Sequence, residues 1–149
     1  MRFSAVISSI TILMVINACN TKQVQKDLTV HASAKECIDY VIDTDKSLGA
    51  IRNHACEKKS LSETIDDYVH SLDNLSFSNC PPIFIKAFEE HKEAWVNVTE
   101  MTDQYPDLRG EMHDIFEIIE AGPDSAAFKY LEAEIWATWE QVELAINLE

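Results

Sequence analysis

The residue in this sequence best placed to do chemistry is His91. It lies in the stretch Cys80 to Tyr105, on a line through Phe84, Phe88, His91, Trp95, Val98, Thr102 and Tyr105. The steps alternate between four and three, which marks the buried seam of an α-helix and fits no strand. An imidazole on such a seam needs one partner for its N–H and another for its lone pair. Counting back along an antiparallel neighbouring helix puts Asp66, Asp67 and Tyr68 at the level of His91. His91, Tyr68, Asp67 and Trp95 therefore form the candidate ligand-binding or proton-handling cluster. The plainer reading is a core histidine hydrogen-bonded to Tyr68 or to a carboxylate.

Other chemistry finds little footing. There is no GxSxG, no SxxK and no glycine-rich phosphate loop, so nucleophilic catalysis and nucleotide binding lack their usual scaffolds. The carboxylate pairs Glu89-Glu90 and Asp66-Asp67 are adjacent, and neighbours on a helix do not face one another. No cysteine pair has CxxC spacing and no CxxCH occurs, which removes zinc-knuckle and covalent haem patterns. A di-iron bundle needs Glu-x-x-His, but Phe88 precedes His91 by three and Gly110 precedes His113 by three. No catalytic residue, metal ligand or cofactor is expected. The expected function is a non-catalytic binding or interaction module. The alternative is a carrier of a small ligand, metal or haem around His91, with Met101, Met112 and His113 as further axial candidates. Trp136, Trp139 and Tyr130 form a second aromatic group, with Trp139 on a helical seam and Trp136 one residue off it.

The elements that must position these groups are helices. The chain has 149 residues, with only three glycines and four prolines. That suits one all-α domain with a core of its own. Ser33 opens a first helix with a seam of Cys37, Val41, Thr44, Leu48, Ile51 and Ala55. It runs to about Glu57, unless Asp43-Thr44-Asp45 splits it in two. Ser60 and Glu63 form a capping box for a second helix, whose seam is Leu61, Ile65, Tyr68, Leu72 and Leu75. Pro81-Pro82 introduce the third, which ends before Pro106. Asp107 is expected to cap a fourth helix through Leu108, Met112, Ile115 and Ile119. Gly122-Pro123 stop it. Asp124 is expected to cap a fifth, with Phe128, Leu131, Ile135, Trp139, Val142 and Ile146 on its seam. Short connections favour antiparallel neighbours. The fold expected is an up-and-down bundle of four to five helices, with helix three flanked by two and four. Helix four is too short to cover its neighbours, so part of the bundle is left open or covered by helix one.

There are 26 acidic against 12 basic side chains and a net charge of −14. Such a chain repels nucleic acid, whose phosphates need Lys and Arg. Electrostatic steering favours a basic protein or peptide as partner.

The first residues have a different character. Met1-Arg2 is basic, Phe3 to Ile16 is apolar or hydroxylic, and the run closes on Asn17-Ala18-Cys19. The proportions are those of a signal peptide. Ile16, Ala18 and Cys19 resemble the lipobox of bacterial lipoproteins; Asn17 departs from that pattern's usual small residue. The resemblance covers the leader alone. It implies export, cleavage before Cys19, and lipidation of Cys19 with acyl chains such as palmitate. It places the mature chain in the cell envelope, facing the periplasm or the cell surface. Asn20 follows Cys19, so the aspartate of inner-membrane retention is missing and the outer membrane is favoured. Several acyl chains anchor a protein far more firmly than one. The expected organisation is 1–18 leader, 19–30 lipidated cysteine and tether, and 31–149 acidic helical domain.

With Cys19 carrying lipid, Cys37, Cys56 and Cys80 remain in an oxidising compartment, enough for one disulfide. If helix one is continuous, Cys37 and Cys80 start helices one and three at the same end of the bundle. Cys56 then lies nearly ~30 Å away, so Cys37 pairs with Cys80 and Cys56 stays free. If helix one is split, Cys37 pairs with Cys56.

Overall fold

The computed structural model describes residues 29–148. Cys19 and the leader lie outside the described residues. Five helices follow in order: α1 Ala34–Ala55, α2 Leu61–Leu72, α3 Pro82–Thr102, α4 Met112–Glu120 and α5 Ser125–Ile146. No strand occurs among the described residues, and none of their helices is long and apolar enough to cross a membrane.

Local chemistry sets most of the boundaries. Ser33 Oγ accepts the Glu36 N–H at 3.2 Å and starts α1, which runs unbroken through Asp43-Thr44-Asp45. Ser60 Oγ accepts the Glu63 N–H at 3.2 Å and starts α2, which satisfies an amide that would otherwise have no partner. Asn79, at φ 66°, turns the chain between α2 and α3. Asparagine tolerates this left-handed conformation better than most residues. Its side-chain amide also donates to the carbonyl of His31 at 2.5 Å. His31 itself is buried, with Nε2 3.2 Å from the Ser76 carbonyl, so the ordered domain begins ahead of α1.

Two expected caps are not the ones used. Helix four does not begin after Asp107: Leu108 lies in a turn, and α4 starts at Met112 with Glu111 accepting the His113 N–H at 2.8 Å. The residues between are held otherwise. Arg109 Nη1 donates to the carbonyls of Pro106 and Leu108, both at 2.7 Å, and the Gly110 N–H donates to the Cys56 carbonyl at 3.3 Å. Asp124 stands at the start of α5, but its carboxylate accepts the Tyr105 hydroxyl at 2.6 Å instead of a backbone amide. Tyr105 lies beyond the end of α3, in the turn that follows it.

Four long elements, α1, α2, α3 and α5, make the up-and-down bundle. Ser62 meets Thr102 while Tyr68 meets Trp95, so α2 and α3 are antiparallel. Tyr105 meets Asp124 while His91 meets Thr138, which sets α5 antiparallel to α3. α3 is central, but its flanking partners are α2 and α5, with α4 set across one end against α1 and α5. Length explains the correction. α4 has 9 residues and α3 has 21, so only the 22-residue α5 can cover α3. The core along this axis includes Phe84, Phe88, Ile65, Leu72 and Phe128, each at most 1 % exposed.

α1 packs on α2 and α4, without extensive contact to α3 or α5. At its first turns, Cys37 and Cys80 stand at disulfide distance, with Cα atoms 5.2 Å apart. Cys56, at the other end of the helix, is free and buried, and its thiol donates to the Arg52 carbonyl at 3.4 Å. The seam of α1 also differs from its apolar reading. Ile51 is 65 % exposed, whereas Asp45 and Arg52 are buried with Cys37, Val41 and Cys56. The buried line therefore advances mainly by fours, and two charged residues fall on it.

Candidate ligand-binding site

Because α1 and α5 do not close on each other, a cavity of about 460 Å³ remains between them above α4. All five helices line it. Asp45 and Arg52 come from α1, Tyr68 from α2, and His91 and Trp95 from α3. Met112 and Phe116 rise from α4, and Ile135, Trp136 and Trp139 come from α5. Trp136 is 57 % exposed. Pockets of this size, mostly apolar with a few polar groups, suit small molecules.

Arg52 dominates the polar wall. It exposes only 9 % of its surface. Its guanidinium carbon lies 3.8 Å from the Trp95 ring centroid and 4.4 Å from that of Tyr68, so aromatic faces supply cation–π contact. The in-plane donors are poorly served. Nη2 donates to Asn53 Oδ1 at 3.2 Å, and Nε is buried with no partner. No carboxylate forms an ion pair with Arg52 among the described residues. Burial pushes the guanidinium below its usual range, and the nearby Tyr68 and Asp45 offset part of that. A buried, weakly paired charge is expensive.

Asp45 is the second buried charge. Its Oδ1 accepts the Tyr68 hydroxyl at 2.5 Å. Burial raises its carboxyl above the ordinary range, against the lowering effects of the Tyr68 hydrogen bond and of Arg52. The same burial, with the Asp45 charge beside it, raises the Tyr68 phenol, so Tyr68 acts as a donor throughout the physiological range. Tyr68→Phe deletes the donor that Asp45 depends on, and is expected to lower stability by about 1–3 kcal/mol. Urea unfolding of wild type and variant at neutral pH measures it; a difference under about 0.5 kcal/mol would show that Asp45 needs no donor.

His91 is committed on both nitrogens. Trp95 Nε1–H can only donate, and it lies 3.1 Å from His91 Nε2, so Nε2 accepts. The proton then sits on Nδ1, which donates to Thr138 Oγ1 at 3.1 Å. Thr138 passes its own hydroxyl proton to the carbonyls of Glu134 at 2.8 Å and Ile135 at 3.0 Å. Burial lowers the imidazole to about 4, with a hydrogen bond from its ring N–H to the Ile135 carbonyl opposing this and the Arg52 charge adding to it. The ring also lies 5.1 Å from that of Trp139.

The cluster predicted from sequence is thus brought together in part. His91, Tyr68 and Trp95 share the cavity wall. Asp67 does not: it is exposed and pairs with Lys59 at 2.5 Å. One helical residue turns the chain by about 100°, so Tyr68 facing inward sends Asp67 outward. The expected partner of His91, Tyr68 or a carboxylate, is replaced by Thr138 and Trp95. Of the axial candidates, His91, Met112 and His113 reach the cavity. The His91 lone pair is already taken by Trp95, so His91 cannot ligate iron in this arrangement. Among the described residues no three His, Cys, Asp or Glu side chains converge to hold a metal ion. No family model, curated protein or solved structure matches the chain. The functional reading therefore rests on the cavity and on Asp45 and Arg52, which apolar periodicity passed over. Their signal in the sequence was position: both stand on the line of Val41 and Cys56, at helical spacing.

Proposed function

We propose that the protein is a lipid-anchored, non-catalytic binding protein of the bacterial cell envelope that takes a small molecule between α1 and α5. The observation that carries the ligand reading is Arg52, buried and under-paired in the wall of a cavity of about 460 Å³. Asn53, Tyr68 and the charge of Asp45 satisfy part of the guanidinium, and the buried Nε is the donor left for a bound acceptor. The leader supports the anchoring: Ile16, Ala18 and Cys19 match a lipobox, and Asn20 favours the outer membrane. His91 serves the site as a strut, holding Trp95 and α5 in place through Thr138.

Filling the cavity tests the binding reading. A Cβ on Gly49 would meet only Arg52 Nη2, at 3.7 Å. Gly49→Leu should therefore block the mouth while keeping the helix, or strengthening it by about 1 kcal/mol. Phenol, a neutral aromatic probe, is expected to bind the wild-type full chain in saturation-transfer NMR and to lose that binding in Gly49→Leu. Equal signals from both proteins would refute a ligand-binding cavity. The anchor has a separate test: cells fed labelled palmitate should label the wild-type chain and leave Cys19→Ser unlabelled, and a wild-type chain that takes up no label, or equal labelling of both, would rule out lipidation at Cys19.

A further inference from the structure

The cavity's two buried charges, Asp45 and Arg52, limit what it can hold. Arg52 needs an acceptor at Nε, which is buried without one, although its other donors reach Asn53 Oδ1 and the Tyr68 hydroxyl. Asp45, which also lines the cavity, has Oδ1 occupied by Tyr68, and Oδ2 is the oxygen a ligand's donor would meet. The two residues lie two helical turns apart on one face of α1 and do not pair with each other. A simple anion would satisfy Arg52 but would enter beside the buried Asp45, in a chain of net charge −14; Lys46 and Glu132, also in the lining, offset each other. A simple cation would satisfy Asp45 and meet Arg52 with like charge. A zwitterion satisfies both and brings no net charge into a poorly solvated space. The rest of the wall is apolar and aromatic, with Phe116, Ile135, Trp136 and Trp139 opposite α1. It suits a flat apolar body attached to the charged end.

Resting on the small-molecule reading, we infer that the ligand is a zwitterion of the aromatic α-amino-acid class, its carboxylate on Arg52 and its ammonium on Asp45. Tyr68 sets the spacing by holding Asp45 with its hydroxyl while its ring supports Arg52. The aromatic side chain lies against the tryptophans of α5.

Calorimetry of the full chain with three probes decides it: L-phenylalanine, phenylpropionate, which lacks the ammonium, and phenylethylamine, which lacks the carboxylate. L-Phenylalanine should bind about tenfold or more tighter than either, because each truncation leaves one buried charge unpaired. Asp45→Asn should bring L-phenylalanine down to the level of phenylpropionate, and Arg52→Gln should bring it down to that of phenylethylamine. Circular dichroism reports whether the variants fold, and the wild-type ranking stands without them. If either truncated probe matches L-phenylalanine, or if none of the three binds while phenol still does, the zwitterion is wrong and the cavity reading survives. If phenol fails as well, both fall.

Discussion

Acidifying the protein from pH 6.5 to pH 4 should remove about 3 kcal/mol of stability through His91 alone. The imidazole is 4 % exposed, and burial holds it neutral down to about 4. In the unfolded chain it takes up its proton near the ordinary histidine value of 6.5. Below that pH the unfolded state binds more protons than the folded one, so stability falls with falling pH and the loss is complete near pH 4. The loss amounts to roughly 1.4 kcal/mol for each pH unit between the two values. Asp45 acts in the opposite sense. Burial raises its folded value above 3.8, so the folded state takes the proton first and stability is gained as the pH falls through that window. His91→Gln separates them. An amide offers an acceptor to Trp95 and a donor to Thr138 but does not titrate. At pH 7 the variant should be the less stable protein, because the flexible amide loses the ring packing of His91 against Trp139 and Phe88. Near pH 4.5 it should be the more stable one. Urea midpoints at half-unit pH steps provide the measurement, and parallel wild-type and variant curves would show that His91 is not the acid-sensitive group.

The consequence for binding follows from position. His91 joins Trp95 on α3 to Thr138 on α5. Protonation gives Nε2 a hydrogen where Trp95 already points one, so the strut is broken on the side that faces Arg52. A second positive charge beside Arg52 adds repulsion. Acid should therefore weaken the cavity wall before it unfolds the bundle.

The parts of this fold that depend on apolar spacing and capping were legible in the sequence. The seam of α3 from Phe84 to Thr102 is buried at each expected position, and Ser60 with Glu63 starts α2. What spacing could not supply was the choice between an apolar residue and a charged neighbour one step away. On α1 the apolar rule prefers Ile51 to Arg52, yet Ile51 faces solvent and Arg52 is buried. A cavity reverses the rule, because a charged side chain there can lie on aromatic rings and still await a partner. Helix four failed for a different reason. Asp107 and Leu108 have the residue types of a helix start, but the Gly110 N–H is drawn to the Cys56 carbonyl on α1. That contact is between residues far apart in the chain and leaves no local signature. The inward turn of His91 was legible; its partner Thr138 was not, since the pairing of α3 with α5 across α4 is set by helix length.

Breaking the Cys37–Cys80 link is expected to have the largest effect of any single change. The bond spans 43 residues, and closing a loop of that length in the unfolded chain is worth about 4 kcal/mol in the chain-entropy account. Cys37→Ala with Cys80→Ala should lower unfolding stability by about that amount, measured in urea at pH 7 without reductant; a loss under about 1 kcal/mol would mean the bond is not formed or constrains nothing. The loss should also be uneven. α3 keeps its packing on α2 and α5, but α1 otherwise rests mainly on α2, on α4, on the turn at His31 and on the stacking of Arg52 over Trp95. Hydrogen exchange should therefore quicken first in the early turns of α1, where Cys37, Ile38 and Val41 are buried, and later in α3. Asp45 and Arg52 both lie on α1, so a loosened α1 loses its grip on the cavity's two charges. Ligand affinity should fall in the double variant even at urea concentrations where the bundle remains folded. That outcome would make the disulfide part of the binding site, although neither sulfur faces the cavity.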